Sequence, residues 1–228
     1  MIRQDYILRL IAKFGEVLAQ IVAHTKARNL DEAKALIART TEELVGMSVD
    51  EVCAQSDSRL VSLLIAGLPH QEGRQRAFML VTLLNEAAEN AGLQGAADRE
   101  RLLQLKALNL LLAIGQFADE DVVPEHAPHV ADLVGRLGER GLPPRTLVGL
   151  IQHYEMSGQL AKAEDRLFDL IETVETPRPA LELANAFFRR QLAKSDEELV
   201  RGELPRAEVE AGLDEIDKRY LAVMDGPG

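Results

Sequence analysis

The sequence predicts an all-α protein, and three observations lead to that prediction. Apolar residues recur at steps of three and four in every long segment, which is the period of an amphipathic helix. Alanine and leucine dominate the apolar residues, while aromatic residues make up 4% of the chain, so we expect closely packed helices. No segment alternates apolar and polar residues over several positions, and we therefore expect no β-strand.

The first helix has the clearest pattern. Its apolar residues Ile7, Ile11, Phe14, Leu18 and Ile21 follow one another at steps of four and three. Charged and polar residues occupy the opposite face, which makes this an amphipathic helix. We expect the apolar face to pack on the rest of the chain. The same spacing also suits a coiled-coil seam, so a homodimer through the N-terminal helix is the alternative.

Five further helices are expected before residue 118, each delimited by capping residues, glycine or proline. Ser48 and Glu51, for example, have the spacing of a capping box. The second half of the last of these helices is apolar nearly all round, so we place that helix at the centre of the packing. The expected segments are 30–45, a short helix after Ser48, 59–68, 75–91 and 98–117.

The segment after the sixth helix interrupts the helical pattern. Residues 118–128 read ADEDVVPEHAP, which is acidic and contains two prolines. Such a composition is typical of a loop or linker. We therefore expect an N-terminal helical region, 1–118, and a C-terminal helical region, 129–228, with one continuous domain as the alternative. The helices expected in the C-terminal region cover 129–138, 145–157, 160–174, a segment that Pro177 and Pro179 begin and that runs toward Leu199, and 206–223.

The C-terminal region contains a hairpin with a distinctive pattern of large and small residues. Large residues recur on its first helix, Gly158 lies at the turn, and the small Ala163 lies where the two helices approach; the large positions are Leu147, Leu150, Tyr154 and, on the second helix, Leu167. This hairpin, 144–176, resembles a tetratricopeptide repeat, a 34-residue helix–turn–helix unit. The resemblance implies antiparallel helical hairpins stacked in a degenerate right-handed array.

The same resemblance implies a function. In tetratricopeptide proteins the first helix of each hairpin contributes to a concave surface that binds extended peptides. The matching positions here are Arg145, Val148, Gln152, Glu155 and Met156. Arg145 and Gln152 would bind main-chain or carboxylate groups of a partner, and Val148 and Met156 would supply apolar contacts. We therefore expect a non-enzymatic protein-interaction scaffold or adaptor.

The N-terminus carries a second resemblance. The opening QDYILRLIAKFGEVLAQI has an aspartate–tyrosine pair followed by an amphipathic helix. In this it is similar to the start of an uncharacterised family of small helical bacterial proteins. The resemblance covers the first 45 residues best, and it implies no activity.

Charge and composition exclude several classes of protein. The net charge is −11, from 37 acidic and 26 basic residues, and no basic stripe is present, so we expect no nucleic-acid partner. The same charge opposes binding to an anionic membrane surface. Charged residues interrupt the N-terminal segment, and no apolar run is long enough to span a bilayer. We therefore expect a cytoplasmic protein. Cys53 is the single cysteine, so neither an intrachain disulfide nor a cysteine-based zinc site is expected.

Residue patterns that could carry chemistry are few. His126 and His129 are three apart, but Pro128 between them disfavours a shared helical face, so we expect no metal site. Glu86 and Glu89 share a helix face and lack the Glu-x-x-His partners of a di-iron bundle. We expect no catalytic residues, no cofactor and no metal.

Two alternatives to the peptide-binding interpretation remain. His153, Tyr154 and Glu155 form the densest polar cluster beside an apolar face, which would suit a small-molecule-sensing helical domain. Residues 196–217 hold nine acidic residues and two arginines, so their net charge is 2 − 9 = −7. That segment is either a docking surface for a basic partner or a solvated face, and we favour the second.

Overall fold

The computed structural model describes residues 2–65, 70–115, 124–138 and 141–225. These residues form α-helices and no strand, which confirms the all-α prediction. None of the described helices is long and apolar enough to cross a membrane. The helices are α1 (Ile2–Lys26), α2 (Leu30–Val45), α3 (Val49–Ala54), α4 (Asp57–Ile65), α5 (His70–Leu93), α6 (Ala97–Gly115), α7 (Val130–Leu137), α8 (Pro144–Met156), α9 (Leu160–Thr173), α10 (Pro177–Leu192), α11 (Asp196–Arg201) and α12 (Arg206–Asp225).

The chain divides into two compact units, Met1–Glu139 and Arg140–Gly228. The boundary thus follows α7, whereas the sequence suggested a linker at residues 118–128 and placed α7 in the C-terminal region. Residues 118–123 of that segment lie outside the described residues. Each unit has its own buried core.

Two arginine hydrogen bonds explain why α7 belongs to the first unit. Arg101 Nη1 of α6 donates to the carbonyl oxygen of Leu137 at 2.9 Å. Arg136 Nη1 of α7 donates to Oδ1 of Asn85 on α5, also at 2.9 Å. Contacts between residues so distant along the chain cannot be predicted from local composition. The acidic segment with two prolines was therefore the stronger sequence signal for a division of the chain.

Helix α6 lies at the centre of the first unit, as its apolar pattern predicts. Nearly every residue from Leu103 to Ile114 is buried. Helices α3, α4, α5 and α7 pack around it. A helix surrounded in this way has little polar surface to expose, which accounts for a pattern that is apolar on all sides.

The apolar face of α1 packs on its own chain. Phe14 and Ile21 are buried in a cluster with Ile37 of α2 and Met79 of α5. Leu8, near the start of the helix, is 60% exposed. The seam predicted from the four-three spacing is therefore used mainly within the monomer, and the homodimer stays a prediction.

A buried lysine joins α6 to the chain between α3 and α4. The side chain of Lys106 is 4% exposed, and its Nζ lies 2.9 Å from Oδ1 of Asp57. The same ammonium donates a hydrogen bond to the carbonyl oxygen of Gln55. Burial of an ammonium group is unfavourable unless it is paired and hydrogen-bonded, and both conditions are met here.

In the second unit, α8 and α9 form the expected helical hairpin. The predicted large positions Leu147, Leu150 and Tyr154 are buried between the helices. Ala163 and Leu167 of α9 are completely buried. Gly158 has a φ of +72°, a left-handed conformation that glycine adopts without the steric cost of a Cβ atom.

Helix α12 returns to pack on α10. Phe187 and Phe188 of α10 are completely buried, and their rings meet edge to face with centroids 5.3 Å apart. Gly212 of α12 lies directly against this pair, since a Cβ atom there would come within 2.5 Å of the Phe188 ring. The missing side chain allows the two helices to approach this closely.

One helix bound differs from its prediction for a local reason. The sequence suggested that the helix of Pro177 continues toward Leu199, whereas α10 ends at Leu192. Ser195 and Glu198 form a complete capping box that starts α11, with Ser195 N donating to Glu198 Oε2 at 2.9 Å. The capping box ends one helix and begins the next.

We predict that the Lys106–Asp57 pair contributes strongly to the stability of the first unit. Lys106→Ala should lower the free energy of unfolding by about 3 kcal/mol, because it leaves the Asp57 carboxylate largely buried without its partner. Urea denaturation followed by circular dichroism measures the change. Lys13→Ala is the control, since the Lys13–Glu43 pair is exposed and should contribute less than about 0.5 kcal/mol. Equal effects of the two substitutions would contradict the prediction.

Candidate functional site

The predicted partner-binding residues lie along one side of α8. Arg145, Gln152 and Met156 are exposed, and Met156 is 62% exposed. Val148 and Glu155 are half-buried. The spacing of three and four residues places all five on one helical stripe. The structure therefore presents four of the predicted side chains on the outer face of α8, and the fifth, Glu155, contacts α10.

Glu155 is held by helix α10 of its own chain. Arg190 Nε and Nη2 each donate to a carboxylate oxygen of Glu155 at 2.8 Å, which makes the pair bidentate. Nε2 of Gln191 also donates to Glu155 Oε1 at 2.8 Å, and Gln191 is completely buried. The carboxylate predicted to meet a partner thus joins α8 to α10.

The electrostatics of Glu155 agree with this role. Partial burial alone would raise the pKa of Glu155, but the hydrogen bonds and charge of Arg190, together with Gln191 and Lys194, hold it below its ordinary value. A lowered pKa means that the folded protein favours the ionised carboxylate. The bond network therefore stabilises the contact of α8 with α10 at neutral pH.

The three residues of the polar cluster, His153, Tyr154 and Glu155, have different contacts. Tyr154 is buried in the hairpin, and its ring lies 5.5 Å from that of His153. The Nζ atom of Lys162 lies 5.8 Å from the centroid of the Tyr154 ring. Burial lowers the pKa of His153. Glu155 is bound to Arg190 of α10.

A group of carboxylates where α9 meets α12 is the feature that the sequence reasoning missed. Burial, reinforced by the negative charges of Glu208, Asp165 and Glu215, raises the pKa of Glu164 to about 7. A Cβ atom at Gly212 would lie 3.3 Å from Glu164 Oε1, so the carboxylate lies beside α12. Glu164 directly follows Ala163, the small residue of the hairpin. This place in the sequence is the one local signal that Glu164 is partly buried.

The acidic segment 196–217 has several partners within the chain. Asp196 pairs with Arg206, and Glu215 pairs with Arg219. Oδ1 of Asp217 accepts a hydrogen bond from Asn185 Nδ2 at 2.6 Å. Some of the acidic side chains in this segment are therefore used within the chain, in ion pairs, hydrogen bonds and a helix cap.

The histidines and the cysteine lie in unrelated surroundings. The ring of His126 lies 5.3 Å from that of Phe14, whereas His129 is exposed at the start of α7. Among the described residues, no three His, Cys, Asp or Glu side chains are grouped so that they could hold a metal ion. Burial raises the pKa of the half-buried Cys53 thiol, despite the nearby positive charges of Arg99 and Lys106.

The predicted glutamate pair on α5 is asymmetric. Glu86 is half-buried and Glu89 is exposed. Burial, with the negative charge of Glu89, raises the pKa of Glu86, while Asn85 and Arg136 act in the opposite direction. The pair thus lies where α5 faces α7 of the same unit.

Comparison with known proteins identifies the family. The model of a family of unknown function, DUF6483, matches residues 1–221, so the chain belongs to this family. No curated protein and no solved structure matches the chain. The match is consistent with the resemblance of the N-terminus to an uncharacterised family.

We predict that Glu155 is a structural residue. Glu155→Ala should lower the free energy of unfolding by about 1–2 kcal/mol, because Gln191 loses a buried hydrogen bond and Arg190 loses its bidentate partner. The loss should shrink as the pH falls through the lowered pKa of Glu155, since the carboxylate is then protonated in the wild type. Thermal and urea denaturation measure the effect. Glu182→Ala is the control, because its pair with Arg178 is exposed, and a similar loss in both variants would count against the role.

We predict that Glu164 makes the second unit less stable as the pH rises. The pKa of Glu164 is raised in the folded state, so ionisation of this carboxyl group destabilises the folded state. The destabilisation is absent below the ordinary pKa of a glutamate and complete above about pH 7. Glu164→Gln should therefore stabilise the protein by about 1–2 kcal/mol at alkaline pH, after allowance for solvent screening, and by much less near pH 4. Hydrogen exchange of the α9 and α12 amides measures this locally. Exposed Glu172→Gln is the control, and a pH-independent gain in Glu164→Gln would overturn the prediction.

Proposed function

We propose that this member of the family is a non-enzymatic protein-binding scaffold that takes an extended peptide segment on the outer face of α8. The observation that carries the proposal is the stripe of Arg145, Val148, Gln152 and Met156, whose side chains are exposed or half-buried while the opposite side of α8 is buried. The exposed side chains on this face are accessible to a partner. The proposal places this scaffold in the cytoplasm.

The position of α10 supports a tetratricopeptide-like arrangement in this proposal. In the resembled family, the first helices of successive hairpins lie side by side and together form the binding surface. The Glu155–Arg190 pair brings α8 and α10, the first helices of successive helical pairs, into contact. Helix α12 packs on α10 and thus takes the place of the second helix of the next pair. The short α11 lies between α10 and α12 in the sequence.

The chemistry of the stripe defines the proposed partner. A guanidinium group binds a carboxylate through two parallel hydrogen bonds, so Arg145 suits an acidic side chain or a C-terminal carboxylate. The amide of Gln152 can both donate to and accept from a peptide main chain. Val148 and the flexible thioether of Met156 supply an adaptable apolar contact. The partner is therefore an extended peptide that carries a carboxylate near an apolar side chain.

Selection from a random peptide library displayed on phage tests the proposal. The full chain should enrich sequences in which an acidic residue lies near an apolar one. Arg145→Glu should weaken binding of an enriched peptide by about tenfold or more, because it replaces attraction by repulsion. Met156→Asp should weaken it as well, since it removes the apolar contact.

Arg201→Glu on α11 is the matched control, because it makes the same charge change at another exposed arginine. Circular dichroism confirms that each variant is folded. Failure to enrich any peptide, or equal effects of Arg145→Glu and Arg201→Glu, would refute the proposed surface.

A further inference from the structure

The first unit contains a cleft that none of the preceding arguments uses. It has a volume of about 430 Å³ and lies among α2, α3, α5 and α6. Small-molecule sites usually enclose roughly 300–1,000 Å³ and combine apolar walls with a few polar groups. The cleft therefore has the size of a metabolite site.

The floor of the cleft is apolar and firmly packed. Ile37 of α2, Ala91 of α5 and Leu103 of α6 line it, and each is buried. Asn90 is also buried, with Nδ2 donating to the carbonyl oxygen of Leu30 at 2.9 Å and Oδ1 accepting from Gln94 Nε2 at 3.1 Å. Because these residues belong to the core, the floor is preformed and needs no rearrangement to accept an apolar group.

The rim of the cleft has the opposite charge from the rest of the chain. Lys34 of α2 and Arg99 of α6 provide two positive charges, and Asp50 of α3 provides one negative charge. The net charge of the lining is thus 2 − 1 = +1, within a chain whose net charge is −11. The charge of the rim therefore favours an anion over a cation at this position.

Both cations are accessible to a ligand. Arg99 pairs with Asp50 through Nη2, and the Asp50 side chain is 78% exposed. Exposed pairs of this kind are weak, so an incoming carboxylate can share or replace Asp50 as a partner. Lys34 is exposed at the edge of the cleft and, among the described residues, forms no ion pair or hydrogen bond.

We propose that this cleft binds a small organic acid, with the apolar body of the ligand on Ile37, Ala91 and Leu103 and its carboxylate between Lys34 and Arg99. The apolar floor supplies affinity by removing the ligand's hydrocarbon surface from water. The two cations select a carboxylate over a neutral or cationic head group. The site lies in the first unit, so it is independent of the proposed peptide surface on α8.

Isothermal titration calorimetry of the full chain with 4-phenylbutanoate tests the proposal. This compound joins a compact apolar body to one carboxylate, and 4-phenylbutan-1-ol is its neutral counterpart. The acid should bind saturably with one molecule per chain, and the alcohol should bind about tenfold or more weakly, which is the scale of a lost charge-assisted hydrogen bond. Equal binding of acid and alcohol, or no saturable binding of the acid at millimolar concentration, overturns the proposal.

Two matched pairs of variants locate the site. Ala38 lines the cleft and Ala35 does not, and both are exposed on α2. Ala38→Trp should fill the cleft and weaken binding by about tenfold or more, whereas Ala35→Trp should leave it within about twofold. Similar affinities in these two variants would show that the acid binds elsewhere and would overturn the assignment.

The second pair tests the charge. Lys34→Met should weaken binding of the acid by about three- to fivefold and leave binding of the alcohol unchanged, because one exposed ionic contact is lost. Lys26→Met makes the same change at an exposed lysine outside the cleft and should alter neither. Equal losses of affinity for the acid in both lysine variants would show that the effect comes from the overall charge of the protein. They would contradict a carboxylate bound at Lys34.

Discussion

The packing of the first unit depends on a single buried ammonium group. Lys106 lies on α6, the helix around which α3, α4, α5 and α7 assemble. Its charge is tolerated only where the Asp57 carboxylate and the Gln55 carbonyl oxygen both reach it. Apolar contacts are not directional, whereas the hydrogen bonds to Lys106 hold Gln55 and the first residue of α4 at one place on α6. The lysine therefore specifies the arrangement of helices that the apolar residues stabilise.

Much of the helical structure was predictable, because the signals that begin and end helices are local. The capping box of Ser48 and Glu51 is formed, and Gly46 ends α2 with a φ of +69°. The periodicity of α1 indicated the face that packs on the chain, on which Phe14 and Ile21 are buried, and the all-round apolar pattern of α6 indicated the burial of that helix. The end of α10 was misplaced, although Ser195 and Glu198 have the spacing of the capping box that begins α11.

The candidate sites could be predicted only in part, because their properties depend on partners distant in sequence. Helical spacing identified the stripe of Arg145 and Gln152, but nothing near Glu155 indicates that Arg190 binds it. Glu164 acquires its raised pKa from burial and from carboxylates on α12, which a single-helix pattern cannot show. The cleft likewise brings together Lys34 and Arg99 from two different helices. Sequence periodicity assigns a residue to a face, whereas tertiary packing determines what that face meets.

The contact of Gly212 with Phe188 has a consequence for how this family evolves. The ring of Phe188 occupies the space that a side chain at position 212 would need. Position 212 therefore cannot accept a larger residue while Phe188 is in place. A larger residue at 212 is tolerated only in a background where residue 188 has already become smaller. The order in which mutations arise at these two sites is thus constrained, and homologous sequences should show the two positions changing together.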